Sequence, residues 1–120
     1  MHKQDLLIGI KKPGMALELK NVSNELETLQ EIVGGYVEQV RLNHWVDNLA
    51  LVCNEEGKIF GLQPNFTVGA DIIVGTAVFL NLRNAQNEDD GNWHGLNEEQ
   101  VDHLKLGFAE YESSELRKDT

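Results

Sequence analysis

The chain has one cysteine, two prolines, half as many basic as acidic residues, and no apolar stretch of membrane-spanning length. Each shortage excludes something. With Cys53 alone no intramolecular disulfide can form, and its apolar neighbours Leu51 and Val52 predict a buried thiol in a reducing compartment. The apolar run Leu6 to Ile10 is closed at once by Lys11 and Lys12, too short for a signal peptide or a membrane span, so a cytoplasmic protein is expected. Ten basic against 20 acidic residues leave a formal charge of −10, which repels phosphate backbones and anionic lipid, so direct nucleic acid binding and membrane attachment are not expected. His2, His44, His94 and His103 show no three- or four-residue spacing, so neither a metal site nor a cofactor is predicted. Cys53 stands at a strand end with no histidine marked as its base, and no serine has a nucleophile context, so no catalytic residue is assigned and an enzyme is not expected. Gly34 and Gly35 follow a helix instead of preceding one, which rules out a phosphate loop.

What is present describes one domain. At 120 residues the chain has room for a single core that buries roughly two-thirds of the unfolded surface. The negative charge is uneven: Glu88 to Thr120 holds ten acidic and three basic residues, a net of −7. Such a surface keeps a small protein dispersed, and it also suits a basic partner, including a DNA-binding enzyme toward which it would mimic nucleic acid.

The stretch Asn24 to Leu62 organises the rest. Asn24 and Glu27 predict a capped helix with Leu26, Leu29, Ile32 and Val33 on one side, stopped by Gly34 and Gly35. Strands are predicted at Tyr36 to Leu42 and Asn48 to Cys53, the second central and covered on both faces. A turn with Gly57 in the left-handed position then leads to a hairpin partner at Lys58 to Leu62, ended by Pro64. Before this block, Leu6 to Ile10 and Met15 to Val22 form a hairpin around the Pro13-Gly14 turn. After it, Asn65 to Asp71 reads as a connection, and Ile72 to Leu82 as a strand pair or one long strand kinked at Gly75. Asn84 to Gly95 reads as a mobile loop. Asn97 with Gln100 opens a second capped helix whose stripe is Val101, Leu104, Phe108 and Tyr111. The expected fold is α+β: an antiparallel sheet of about five or six strands with two helices packed on one face. The domain is placed at residues 1–113, with a frayed charged tail at 114–120.

The blocks LQEIVGGYVEQV, DNLALVCNEEGKIFGLQPN and IIVGTAVFLN, followed by LNEEQV, stand in an order and spacing that resembles domain-of-unknown-function family three-eight-four-six. The resemblance spans Leu6 to Phe108. It implies a cytoplasmic accessory protein of the kind carried by phages, plasmids and Gram-positive bacteria, and implies no chemistry. Two departures stand out: Phe66 follows Asn65 where members carry a basic residue, and an insertion falls around Asn84 to His94.

Two tryptophans outside the apolar stripes, in Asn43-His44-Trp45 and Asn92-Trp93-His94, are the strongest candidates for a ligand site. Aromatic faces flanked by His44 and His94 can stack on a nucleobase, with Arg41 or Arg83 on its phosphate. The alternative is that each tryptophan covers a sheet edge or seals a homodimer contact. By the family pattern Asn65 lines the same pocket. Glu88, Asp89 and Asp90 are candidates for contact with a basic host protein. The function expected is therefore a non-enzymatic binding protein of phage or mobile-element type that sequesters a host protein, DNA-binding or defence-related. The alternatives are a sponge for a small nucleotide signal and a structural domain without a dedicated ligand.

Overall fold

The computed structural model describes the backbone of residues 5–118 and the side chains of residues 5–109. His2, the Tyr111 side chain and the end of the expected tail lie outside the described residues. In chain order the elements are β1 (Asp5–Lys11), β2 (Glu18–Ser23), α1 (Leu26–Val33), β3 (Val37–Arg41), β4 (Leu49–Asn54), β5 (Pro64–Val68), β6 (Asp71–Val74), β7 (Ala77–Asn81) and α2 (Glu98–Lys118). The main sheet has five antiparallel strands in the order β2-β1-β7-β4-β3, and β5 with β6 forms a separate two-stranded ribbon. The fold is α+β. No helix among the described residues is long and apolar enough to cross a membrane.

Every residue of β4 and of β7 is buried, so both faces of the sheet need a cover. That requirement separates the helices, which lie on opposite faces and not together on one. On one face α1 sets Leu29 and Val33 against Val52, Val78 and Leu80, and we call this the helical face. On the other, the β5–β6 ribbon and α2 close over Leu49, Leu51 and Phe79, and we call this the aromatic face.

Several local expectations hold. The Pro13-Gly14 turn closes with the Met15 N–H on the Lys12 carbonyl at 3.1 Å, and Gly14 has φ 74°, as a type II turn requires. Gly34 ends α1 in the left-handed conformation, φ 80°, its N–H on the Gln30 carbonyl. At α2 the reciprocal cap forms in full: the Gln100 N–H donates to Asn97 Oδ1 at 2.8 Å, and the Asn97 N–H to Gln100 Oε1 at 2.9 Å. The segment expected as a frayed tail from residue 114 is not among these, since the α2 backbone continues to Lys118.

Others are corrected. Asn24 does not cap α1, because the Glu25 N–H turns back onto the Ser23 carbonyl and the helix starts one residue later than that cap needs. Lys58 to Leu62 is a run of turns, not a strand: β3 and β7 already occupy both edges of β4, which leaves this segment nothing to pair with. Its left-handed residue is Gly61, φ 68°, while Gly57 is needed for space, since a Cβ there would meet Val74 Cγ2 at 2.9 Å. The 64–68 segment is a strand, and Gly75, φ 73°, marks the point where the chain leaves the ribbon for the main sheet.

β1 and β7 pair only from Gly9 and Phe79 to Lys11 and Ala77. Beyond that point they part, and residues 94–96 enter the gap. The His94 and Asn81 backbones bond reciprocally at 2.8 and 3.0 Å, and the Leu96 N–H reaches the Leu7 carbonyl at 2.9 Å. A Cβ on Gly95 would lie 3.1 Å from the Leu7 nitrogen, so the wedge depends on a residue without a side chain. Through this gap the chain passes from the helical face, where Trp93 packs, to the aromatic face, where Leu96 is buried.

Candidate functional site

On the aromatic face four rings gather. Phe79 of β7 is fully buried and lies parallel to Phe66 of β5, centroids 5.8 Å apart at 22°. Phe108 of α2 meets Phe66 edge-on at 5.4 Å, and Trp45 sits 6.0 Å from Phe66 and 6.2 Å from Phe79. These are the offset and edge-to-face arrangements that ring quadrupoles favour. Trp45 is placed by the β3–β4 connection, where its N–H donates to the Leu42 carbonyl and Asn43 Oδ1 accepts the Asn48 N–H across the loop. Asn48 itself has φ 63°, a conformation asparagine tolerates better than most residues. Between ribbon and helix the rings open into a groove of about 330 Å³ lined by Trp45, Phe66, Thr67, His103, Leu104, Gly107 and Phe108.

Behind the groove Lys11 is 1% exposed. Its Nζ lies 5.7 Å from the Phe108 centroid, donates to the Lys12 carbonyl at 3.0 Å and reaches Asn65 Oδ1 at 3.3 Å. Asn65 Nδ2 donates to the Lys11 carbonyl at 2.6 Å and the Gly75 carbonyl at 2.9 Å. Asn65 thus ties the ribbon to the sheet.

The two tryptophans do not meet within the chain. Trp45 belongs to the aromatic face and Trp93 to the helical face, its Nε1 donating to Gln39 Oε1 at 2.8 Å. His44 is exposed beside Trp45, and Arg41 is exposed on β3. Arg83 is held by Asn48 Oδ1 at 3.1 Å and the Asn87 carbonyl at 3.2 Å. His94 Nε2 lies 2.8 Å from Asp90 Oδ1, and this contact with the Asn92 N–H holds the Asp90 carboxyl below its ordinary range. Glu88, Asp89 and Asp90 are all exposed on a loop folded by its own side chains: Asn84 Oδ1 accepts the Gln86 and Glu88 N–H groups, and Asp89 and Asp90 accept those of Gly91 and Asn92.

Cys53 is buried, and desolvation with the nearby Glu38 and Asp71 pushes its thiol up to about 11. It is a neutral thiol at physiological pH. Iodoacetamide at pH 8 is therefore expected to leave the native protein unlabelled over hours and to label Cys53 promptly in urea, as followed by intact mass.

A family model described as Domain of unknown function (DUF3846) matches residues 7–109. The chain belongs to this family. No curated protein and no solved structure matches it. In this DUF3846 member the groove residues that sequence reading missed are Phe66, Thr67, His103 and Gly107. Phe66 carried the one available signal, an aromatic ring directly after Asn65. Phe108 was legible only as part of a core stripe, and it is half-buried because it serves the core and the groove together.

Proposed function

We propose that this DUF3846 member is a non-catalytic accessory protein of a phage or other mobile element, which sequesters a basic host protein in the cytoplasm. The carrying observation is the aromatic groove on a chain of charge −10. Its rings supply the apolar anchor site that tight interfaces are built around, and Glu88, Asp89 and Asp90 supply steering toward positive charge.

Gly107 gives a clean test. It lines the groove, and nothing lies within 4 Å of a Cβ built on it, so a side chain can start here without a clash; Gly107→Leu adds bulk at the groove wall and improves helix propensity by about 0.8 kcal/mol. Partner capture should fall at least tenfold in Gly107→Leu while the thermal midpoint holds or rises. Reversal of Glu88, Asp89 and Asp90 to lysine should make capture by the otherwise native groove fail at lower salt. Capture that survives Gly107→Leu would remove the groove from the account.

A nucleotide reading is favoured by one feature: the groove volume lies at the lower end of the range for small-molecule sites, with Thr67 and His103 as polar groups beside the Trp45 ring. A nucleotide copurifying with the wild type and not with Gly107→Leu in native mass spectrometry would select it over the protein partner.

A further inference from the structure

A second concavity, of about 410 Å³, lies beyond the end of β7 at the start of α2, bounded by Asn81, Arg83, Asn84, His94 and Asn97. None of its lining residues carries a carboxylate, although the chain holds 20.

The asparagines set its character. Asn81 Oδ1 accepts the Arg83 N–H at 3.1 Å and Gln100 Nε2 at 3.2 Å. Asn84 Oδ1 accepts the Gln86 and Glu88 N–H groups, and Asn97 Oδ1 accepts the Gln100 N–H. In each case a backbone donor fixes which end of the amide faces inward. All three carbonyl oxygens therefore already hold a donor from the chain itself, and the three NH₂ groups are left as donors. Asn81 is the most telling, since it is 7% exposed and its Nδ2 has no partner among the described residues. That amide is not sealed in either, because no buried side-chain donor among the described residues lacks a partner, so it opens on the basin it lines.

Arg83 adds charge. Asn48 and Asn87 hold its guanidinium through Nε and one Nη, both on neutral acceptors, and no carboxylate pairs with it among the described residues. A positioned arginine beside three amide donors, with no acceptor of comparable strength, is a receptor for oxygen anions.

We propose that this basin binds a small anionic ligand through a phosphate or carboxylate group, held by Arg83 and the side-chain amides of Asn81, Asn84 and Asn97. Its volume exceeds that of a bare oxyanion and fits a metabolite-sized ligand with one such group. Asp90 touches the basin's edge through His94 Nε2 at 2.8 Å and is held by that contact, while the other carboxylates of the loop lie exposed and are screened at physiological salt over about 8 Å, whereas the amide donors act at contact. The site is separate from the aromatic groove, so its existence does not depend on the function proposed above.

The test is a titration followed by the side-chain amide and Arg Nε signals in ¹H–¹⁵N spectra, with ribose 5-phosphate and with citrate as probes at constant ionic strength. Saturable shifts at Asn81, Asn84, Asn97 and Arg83 are expected, and the tighter probe tells phosphate from carboxylate. Asn84→Asp and Asn97→Asp keep the inward acceptor and replace the outward donor with a negative oxygen, and aspartate also caps helices well. Each should weaken binding about tenfold or more with the fold intact. Shifts that do not saturate with either probe, or affinities unchanged in both variants, would overturn the proposal.

Discussion

Phe79→Ala is expected to lower the stability of the domain by about 4 kcal/mol, the upper part of the range for phenylalanine truncation in a core. Phe79 is fully buried, and it touches three other rings that come from three different parts of the chain, the 42–48 loop, the ribbon and α2. Those rings are fixed by separate backbones and cannot all move into the vacated space, so much of the cavity persists. Against a total of about 5–15 kcal/mol the loss is large, and the thermal midpoint should fall by roughly 10–20 °C. Urea denaturation with an unchanged m-value would locate the effect in the native state. A loss below about 1 kcal/mol would mean that the rings do not form one cluster.

The second large effect is expected at Gln100, which is 0% exposed. Its side chain accepts the Asn97 N–H and donates to the Asp47 carbonyl at 3.1 Å and Asn81 Oδ1 at 3.2 Å, joining the start of α2 to the β3–β4 loop and to β7. Gln100→Ala leaves these partners short of a bond and a cavity where the side chain was fully buried, and about 3 kcal/mol should be lost. Gln100→Glu separates polarity from shape. It keeps the acceptor for Asn97 but turns a second oxygen toward two others, so burial and lone-pair repulsion raise its pKa in the folded state above the unfolded value. The folded state then binds the proton more tightly, and the variant should be weakest above its folded pKa and recover as the pH falls through it. Thermal midpoints from pH 4 to 8 would show a slope absent from the wild type at this position.

These residues differ in how far their roles could be read in advance. Asn97 and Gln100 were legible as a cap because the motif is local: the spacing specifies both hydrogen bonds. What the spacing did not reveal is the other end of Gln100, whose partners Asp47 and Asn81 are distant in the chain. The stop at Gly34 and the burial of β4 were legible for the same local reasons, a required backbone angle and an unbroken apolar run. Lys58 to Leu62 was misread because its turn and apolar residues do suit a hairpin. The competing fact was non-local, namely that β7 and β3 take both sides of β4. The tryptophans show the same limit. Both stand outside periodic stripes, which marked them as unusual, but the face each one joins depends on strand order and on the gap through which residues 94–96 pass.

That gap bears on how the protein comes to be folded. The hydrogen bond from Leu96 to Leu7 closes a loop that includes most of the polypeptide, and contacts of such high sequence separation carry the largest closure entropy and slow the search. As synthesis proceeds from the N-terminus, β1 and β2 can zip early, but the backbone of Leu7 has no neighbour on its other side until the final quarter of the chain arrives. Completion of the sheet and docking of the last helix are thereby the same late event, and a chain interrupted before residue 94 would keep both an open strand edge and an aromatic face covered by the ribbon alone.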